Sequence, residues 1–229
     1  MPVSHELDIY LHVPKTAGIS LREQILKAYP LDKIYGYDPI SGRLSSMERQ
    51  GAHAGGQESQ SKRAEKLVDF IPGVIINKAL ELRERRIGQS PEEALPKASV
   101  VMGHFAVDAF MGVQAAENAD YYTVLRHPLQ RMDSHYRYLQ QLGDKREHMR
   151  HWSIGQNADQ PFTDFAFDKS LQNYQAQFVG ADLGRFALIG VTERLSNFML
   201  ERGLLSQNES VPALNRTQWG ATSSFLRDQ

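Results

Sequence analysis

The residues best suited to chemistry stand at 14–20, where the chain reads Pro14-Lys15-Thr16-Ala17-Gly18-Ile19-Ser20. A short apolar run over 7–13 precedes them. Leu21, Ile25 and Ala28 follow at helical spacing until Pro30 stops the pattern. Strand, glycine-bearing turn and helix, in that order, converge backbone N–H groups at a helix N-terminus, where an anion is welcome. Small residues let the backbone approach a phosphate, and Lys15 adds a point charge beside it. The same residues also suit an ordinary strand-to-helix turn with a surface lysine. The nucleoside-triphosphatase pattern GxxxxGK followed by Ser or Thr, whose hydroxyl binds magnesium, is absent.

A turn of this kind needs a sheet to hold it. Residues 98–102 read as a second buried strand, followed at once by Gly103-His104-Phe105. Residues 121–125 read as a third, ending at Arg126, and 186–191 as a fourth. Helical patterns fall over 75–86 and from Pro128 onward, where Leu129, Met132, Tyr136 and Leu139 share an apolar face. Weaker ones cover 161–180, and a further helix covers 194–202. Residues 41–62, rich in Ser, Gly and Gln, read as a mobile loop, and 143–160 as loop. Strands alternating with helices predict an α/β fold with a parallel sheet covered on both faces, as a single domain over 1–229. Ligands then gather at the carboxyl ends of the strands.

Composition narrows the function classes. The 229 residues carry 26 basic and 27 acidic side chains, a net charge of −1, so nothing asks for nucleic acid or an anionic membrane as partner. An anion must be bound by a local site. The absence of cysteine removes disulfides, thiolate zinc and cysteine nucleophiles. HxH and HExxH are missing too, and no metal is expected. No apolar run is long enough to span a bilayer, and the opening MPVSHELDIYLHVPK lacks a signal-peptide pattern, which predicts a cytoplasmic protein. Oligomeric state is not encoded legibly.

HVPKTAGISL (12–21) resembles the 5′-phosphosulfate loop of sulfotransferases that use 3′-phosphoadenosine-5′-phosphosulfate (PAPS), whose usual form is close to HIPKTAGTSL. By motif the nearest relatives are the glycan sulfotransferases, including the heparan sulfate 2-O-sulfotransferase type. The resemblance implies a three-layer, P-loop-like fold with a central parallel sheet flanked by helices. It implies that Pro14 opens the loop, that Lys15 contacts the 5′-phosphate and bridging oxygen, and that Thr16, Ala17, Gly18, Ile19 and Ser20 wrap the phosphate. TVLRHPLQRMDSHYRYL (123–139) resembles the family's 3′-phosphate site, usually written like LRDPVERFLSHY, so Arg126 and Ser134 are expected to clamp the 3′-phosphate. Here His127 replaces the usual Asp and Gln130 the usual Glu. Gly103-His104-Phe105 is similar to the family's GHF segment, Asn173-Tyr174-Gln175 to its NxQ element, and 189–194 to its GLTER turn. Leu214-Asn215-Arg216-Thr217 is similar to a late loop that closes over the nucleotide, making Asn215 and Arg216 cofactor-binding candidates. Residues 41–95 match no part of the family pattern.

Sulfonyl transfer needs in-line placement of acceptor and donor, charge stabilisation on the leaving oxygen, and a base for the acceptor hydroxyl. Lys15 meets the second need. Histidine suits the third, because its pKa lies near neutrality. Of the eight histidines, His104 follows a buried strand at the ligand-binding edge and matches the family's GHF histidine, so it is the expected base. A loop carboxylate is its rival. His12, within a strand, reads as a hydrogen-bonded core residue; His127 and His135 as tuning the 3′-phosphate block; His148 and His151 as solvated loop residues. Arg83, Arg85 and Arg86 form a basic helix end, read as a solvated face ahead of a glycan patch. The acceptor stays open among saccharide, lipid and small metabolite. A nucleotide phosphotransferase and a non-catalytic nucleotide-binding module remain as other readings.

Overall fold

The computed structural model describes residues 7–39, 41–48, 88–142 and 160–211. Strand β1 (Asp8–Leu11) lies inside a six-stranded sheet, flanked in parallel by β4 (Val100–Gly103) and β5 (Asp120–Leu125). β2 (Ile34–Asp38) extends the sheet beyond β4, and β6 (Phe186–Val191) beyond β5, both parallel. β3 (Arg43–Ser46) closes the β2 edge as the one antiparallel strand among those described, giving the order β3-β2-β4-β1-β5-β6.

All four residues of β1 are buried because both sheet faces are covered. Ile9 and Leu11 enter one apolar cluster with Val101, Phe105, Phe110 and Tyr121. Tyr10 enters the other with Val100, Met102, Tyr122 and Val124, as the two-residue period of a strand requires. Helix α1 (Gly18–Ala28) packs Leu21 and Ile25 on the second face, joined there by Leu195, Phe198 and Met199. The short helices α2 (Pro91–Ala94) and α3 (Gln114–Glu117) serve the first face through Ala94 and Ala116. Helix α4 (Pro128–Leu142) opens on a proline whose fixed φ suits a first turn. Its Leu139 packs with Phe165 of α5 (Phe162–Ala166) and Tyr174 of α6 (Tyr174–Val179) in a third cluster. Helix α7 (Leu195–Glu201) follows β6, where Gly190 leaves the room that the Phe198 ring occupies.

The amino ends of the strands are tied by a buried polar knot. Asp8 accepts from the Tyr29 hydroxyl at 2.6 Å and from Arg202 at 2.7 Å, and Arg202 also donates to the Tyr10 hydroxyl at 3.2 Å. This knot pins the far ends of α1 and α7 to β1. The carboxyl ends are left for other work.

Several sequence expectations need correction. Residues 43–46, expected within a mobile loop over 41–62, form β3, because pairing with β2 supplies the order that a polar tetrapeptide does not signal. Leu129 does not share the buried face of α4: it is 47% exposed, and the buried positions nearby are Arg131, Ser134, His135 and Leu139. The expected helix over 75–86 with its arginines, the remainder of the 41–62 segment from residue 49, and residues 143–159 with His148 and His151 lie outside the described residues.

Candidate functional site

Successive strands diverge at one point in this sheet. β1 is followed by β2 on one side, and its neighbour β5 is followed by β6 on the other. Such a switch point opens a crevice at the carboxyl ends of the two strands. The loop 12–17 and Arg126 occupy it.

The loop is held in an unusual backbone shape. Lys15 and Ala17 have φ of 71° and 64°, a left-handed conformation that costs non-glycine residues energy and is kept where the surroundings over-determine it. The Thr16 hydroxyl donates to the Val13 carbonyl at 2.7 Å, so this buried side chain braces the turn from within. No side chain caps the N-terminus of α1, and no acidic residue stands in its first turn. The partial positive charge of the helix end is left to act on the crevice. Gly18 is required by packing: a β-carbon there would collide with the imidazole of His12. Ser20 is buried in the first turn of α1, and Pro14, Ala17 and Ile19 are half-buried along the loop.

Arg126 crosses from β5 to this loop, donating from Nη1 to the Lys15 carbonyl at 3.4 Å. Its backbone is clamped by Gln175, which accepts from the Arg126 N–H at 2.9 Å and donates to its carbonyl at 2.8 Å. His127 N–H donates to Glu193 at 3.3 Å, and Thr192 donates to the Leu125 carbonyl at 3.0 Å. The 173–175 and 189–194 segments thus brace the end of β5. The Lys15 ammonium lies 4.0 Å from the centroid of the Tyr138 ring on α4, and the buried Ser134 is one helical turn before that tyrosine.

Basic groups dominate the electrostatics. Burial, with Arg126 nearby, lowers Lys15 to about 8. Burial, reinforced by Arg131 and Lys15, drives His135 down to about 3. Burial holds His12 well below the usual imidazole range, with His104, Lys15 and Arg22 acting the same way. The carboxylates that oppose this charge are Glu193 and Asp133, both acting on Arg126, and Asp133 also pairs with Arg137 at 2.9 Å. Among the described residues, four buried side-chain nitrogens have no hydrogen-bond partner: Arg22 Nε, Arg126 Nε, Arg131 Nη1 and His135 Nδ1. Three belong to guanidinium groups. Buried donors of this sort are costly until an acceptor reaches them, and an anion is the acceptor they suit best.

His104 sits at the end of β4, on the far side of the loop from Arg126. Its Nδ1 is 2.8 Å from the His12 carbonyl, which places the proton on Nδ1 and the lone pair on Nε2. The two imidazoles lie 4.3 Å apart, inclined by 30°. Burial lowers His104 to about 4 despite that hydrogen bond. It is therefore neutral at physiological pH and able to take a proton, though as a weaker base than an ordinary histidine.

Contacts thus link Arg126 to Lys15 and His104 to His12 around the loop after β1, while Ser134 lies on α4. Asn215 and Arg216 lie outside the described residues. Two contributors were not legible beforehand: Tyr138, whose ring faces Lys15, and Arg131, buried over the Tyr174 ring at 4.4 Å. Their only signal was position, about one and three turns along the helix that follows β5. Among the described residues no cluster of metal-ligating side chains occurs. None of their helices is long and apolar enough to cross a membrane. No family model matches the chain, and neither curated proteins nor solved structures give a significant match.

Proposed function

We propose that the chain is a sulfotransferase that takes the sulfonate from PAPS and passes it to an acceptor hydroxyl. The observation that carries this reading is the meeting of Lys15 and Arg126, hydrogen-bonded across adjacent strand ends, with the Arg126 Nε buried and unpartnered. The residues fit the nucleotide: two phosphates in one ligand would use two cationic centres joined through the loop backbone. In this reading Lys15, the loop N–H groups and the N-terminus of α1 hold the 5′-phosphate, while Arg126 and Ser134 hold the 3′-phosphate. Lys15 stabilises charge growing on the leaving oxygen. His104 Nε2 removes the proton of the acceptor hydroxyl as its oxygen attacks sulfur.

The P-loop-like arrangement belongs to the same reading. It is supported by the strand order, which for the parallel strands alone runs second, third, first, fourth, fifth. Titration calorimetry tests the proposal directly. The product nucleotide 3′-phosphoadenosine-5′-phosphate should bind far more tightly than ADP or ATP with magnesium. Arg126→Ala should erase much of that preference, since a charge-assisted contact is worth ~1.5–3 kcal/mol. Preference for ATP with magnesium would point to phosphoryl transfer, and an equal loss for both nucleotides would make Arg126 structural.

A further inference from the structure

His104 also lines a cleft of about 440 Å³ at the carboxyl ends of β2 and β4. The cleft is shallow and open on one side. Tyr37, Phe105 and Phe178 supply its aromatic walls and Gln177 a polar edge; the described lining contains no Lys, Arg, Asp or Glu. The walls are braced from behind. Phe110 packs against both Tyr37 and Phe105, with ring centroids at 5.4 and 5.0 Å, and Tyr37 meets Phe105 edge-on at 5.2 Å. Val107 N–H donates to the Phe178 carbonyl at 2.8 Å, tying the two sides together. Lys15 and Arg126 are not among the residues that line it.

We propose that this cleft receives the acceptor, and that the acceptor is a small uncharged phenol rather than an anionic polysaccharide. The inference rests on the sulfotransferase reading. An anionic chain would need cations that the described walls do not offer, whereas a flat neutral ring can lie against Tyr37, Phe105 and Phe178 with its hydroxyl toward His104. The phenol oxygen attacks sulfur and an O–S bond forms. The bond from sulfur to the bridging phosphate oxygen breaks, and its electron pair leaves on that oxygen, beside Lys15. The phenol proton passes to His104 Nε2. The lowered basicity of His104 agrees with this acceptor: a weak base is better matched to a phenol, with pKa about 10, than to a water-like hydroxyl near 16.

The test uses the full-length chain with PAPS, 2-naphthol as the neutral phenol, and desulfated heparan oligosaccharide as the polyanion. 2-Naphthol should be sulfated and the oligosaccharide should not. Gln177→Glu, at an exposed position that spares the core, should raise the KM for 2-naphthol about tenfold or more by adding a charge to the cleft edge. The affinity for 3′-phosphoadenosine-5′-phosphate should stay within about twofold. The phenol assignment is overturned if the nucleotide binds but 2-naphthol is not sulfated, or if Gln177→Glu leaves its KM unchanged. Failure of the chain to bind 3′-phosphoadenosine-5′-phosphate overturns the sulfotransferase reading itself.

Discussion

The His104 imidazole donates from Nδ1 to the carbonyl oxygen of His12 at 2.8 Å, and the two rings lie 4.3 Å apart. One contact therefore joins the end of β4 to the loop after β1. It also fixes the tautomer of His104. Both imidazoles are kept neutral, chiefly by burial, and His12 in turn packs against Gly18. The proposed acceptor side and nucleotide side share this pair of rings.

Acid should destabilise the fold earlier than its carboxylates alone would. His104 is lowered from 6.5 to about 4 and His135 to about 3, while His12 is also lowered. Between those values and 6.5 the unfolded chain binds protons that the folded chain refuses. Stability is thus full above about pH 6.5 and falls as the pH drops toward 4, by up to ~1.4 kcal/mol per pH unit for each such proton. Calorimetric Tm should decline steadily from pH 7 to pH 5, and replacing His135 by a neutral residue should flatten the decline. A Tm unchanged over that interval would show that these rings protonate readily in the folded state.

Gly18→Ala should damage the loop through His12. The new β-carbon would meet the His12 ring, and overpacking of this kind costs ~1–3 kcal/mol. Nucleotide affinity should fall with Tm. Adding His12→Ala removes the obstacle, so the double variant should lose less stability than the two single losses combined. Strictly additive losses would mean that the ring swings aside without cost.

Helices α1, α4 and α7 and strands β1, β4, β5 and β6 could be read from the chain because their apolar residues are dense and periodic, whereas the short α2 and α3 gave no such signal. β2 and β3 could not. Gly36 interrupts one, only Ile34 and Tyr35 of which are buried, and the other buries just Leu44 and Ser46. Each becomes a strand through its partner, β4 or β2. Lys15 and Arg126 were legible as candidates because each follows a strand signal. Their contact was not, since it depends on β1 and β5 being neighbours despite 111 residues of separation. The weak basicity of His104 was likewise invisible: sequence reasoning expects a histidine near neutrality, and burial moves it well below.

Nucleotide binding should weaken in mild alkali. Burial, aided by Arg126, lowers Lys15 to about 8 in the free protein, and a phosphate beside it would raise that value again. Binding then takes up a proton, and affinity for 3′-phosphoadenosine-5′-phosphate should fall as the pH rises through about 8. Lys15→Ala should remove this dependence and, if its charge acts on the leaving oxygen as proposed, cut kcat far more than affinity. A variant whose kcat stays within about threefold of the parent would remove Lys15 from the chemistry.

The role of His104 can be separated from mere bracing by comparing two substitutions. A glutamine can still donate an amide hydrogen toward the His12 carbonyl, but it cannot accept the acceptor's proton at neutral pH. If His104 is the base, His104→Gln and His104→Ala should both slow transfer by ~10²–10⁴-fold while nucleotide affinity is nearly unchanged. The parent protein should then also show an acid limb in kcat/KM near pH 4, where the imidazole becomes protonated. That limb lies well below the neutral range expected of an ordinary histidine, and it should vanish in both variants. A bracing residue behaves differently: glutamine would restore much of the activity lost with alanine, the acceptor KM would rise, and the pH profile would survive. Rescue by glutamine with an intact acid limb would place the base elsewhere, on a carboxylate brought in by another segment.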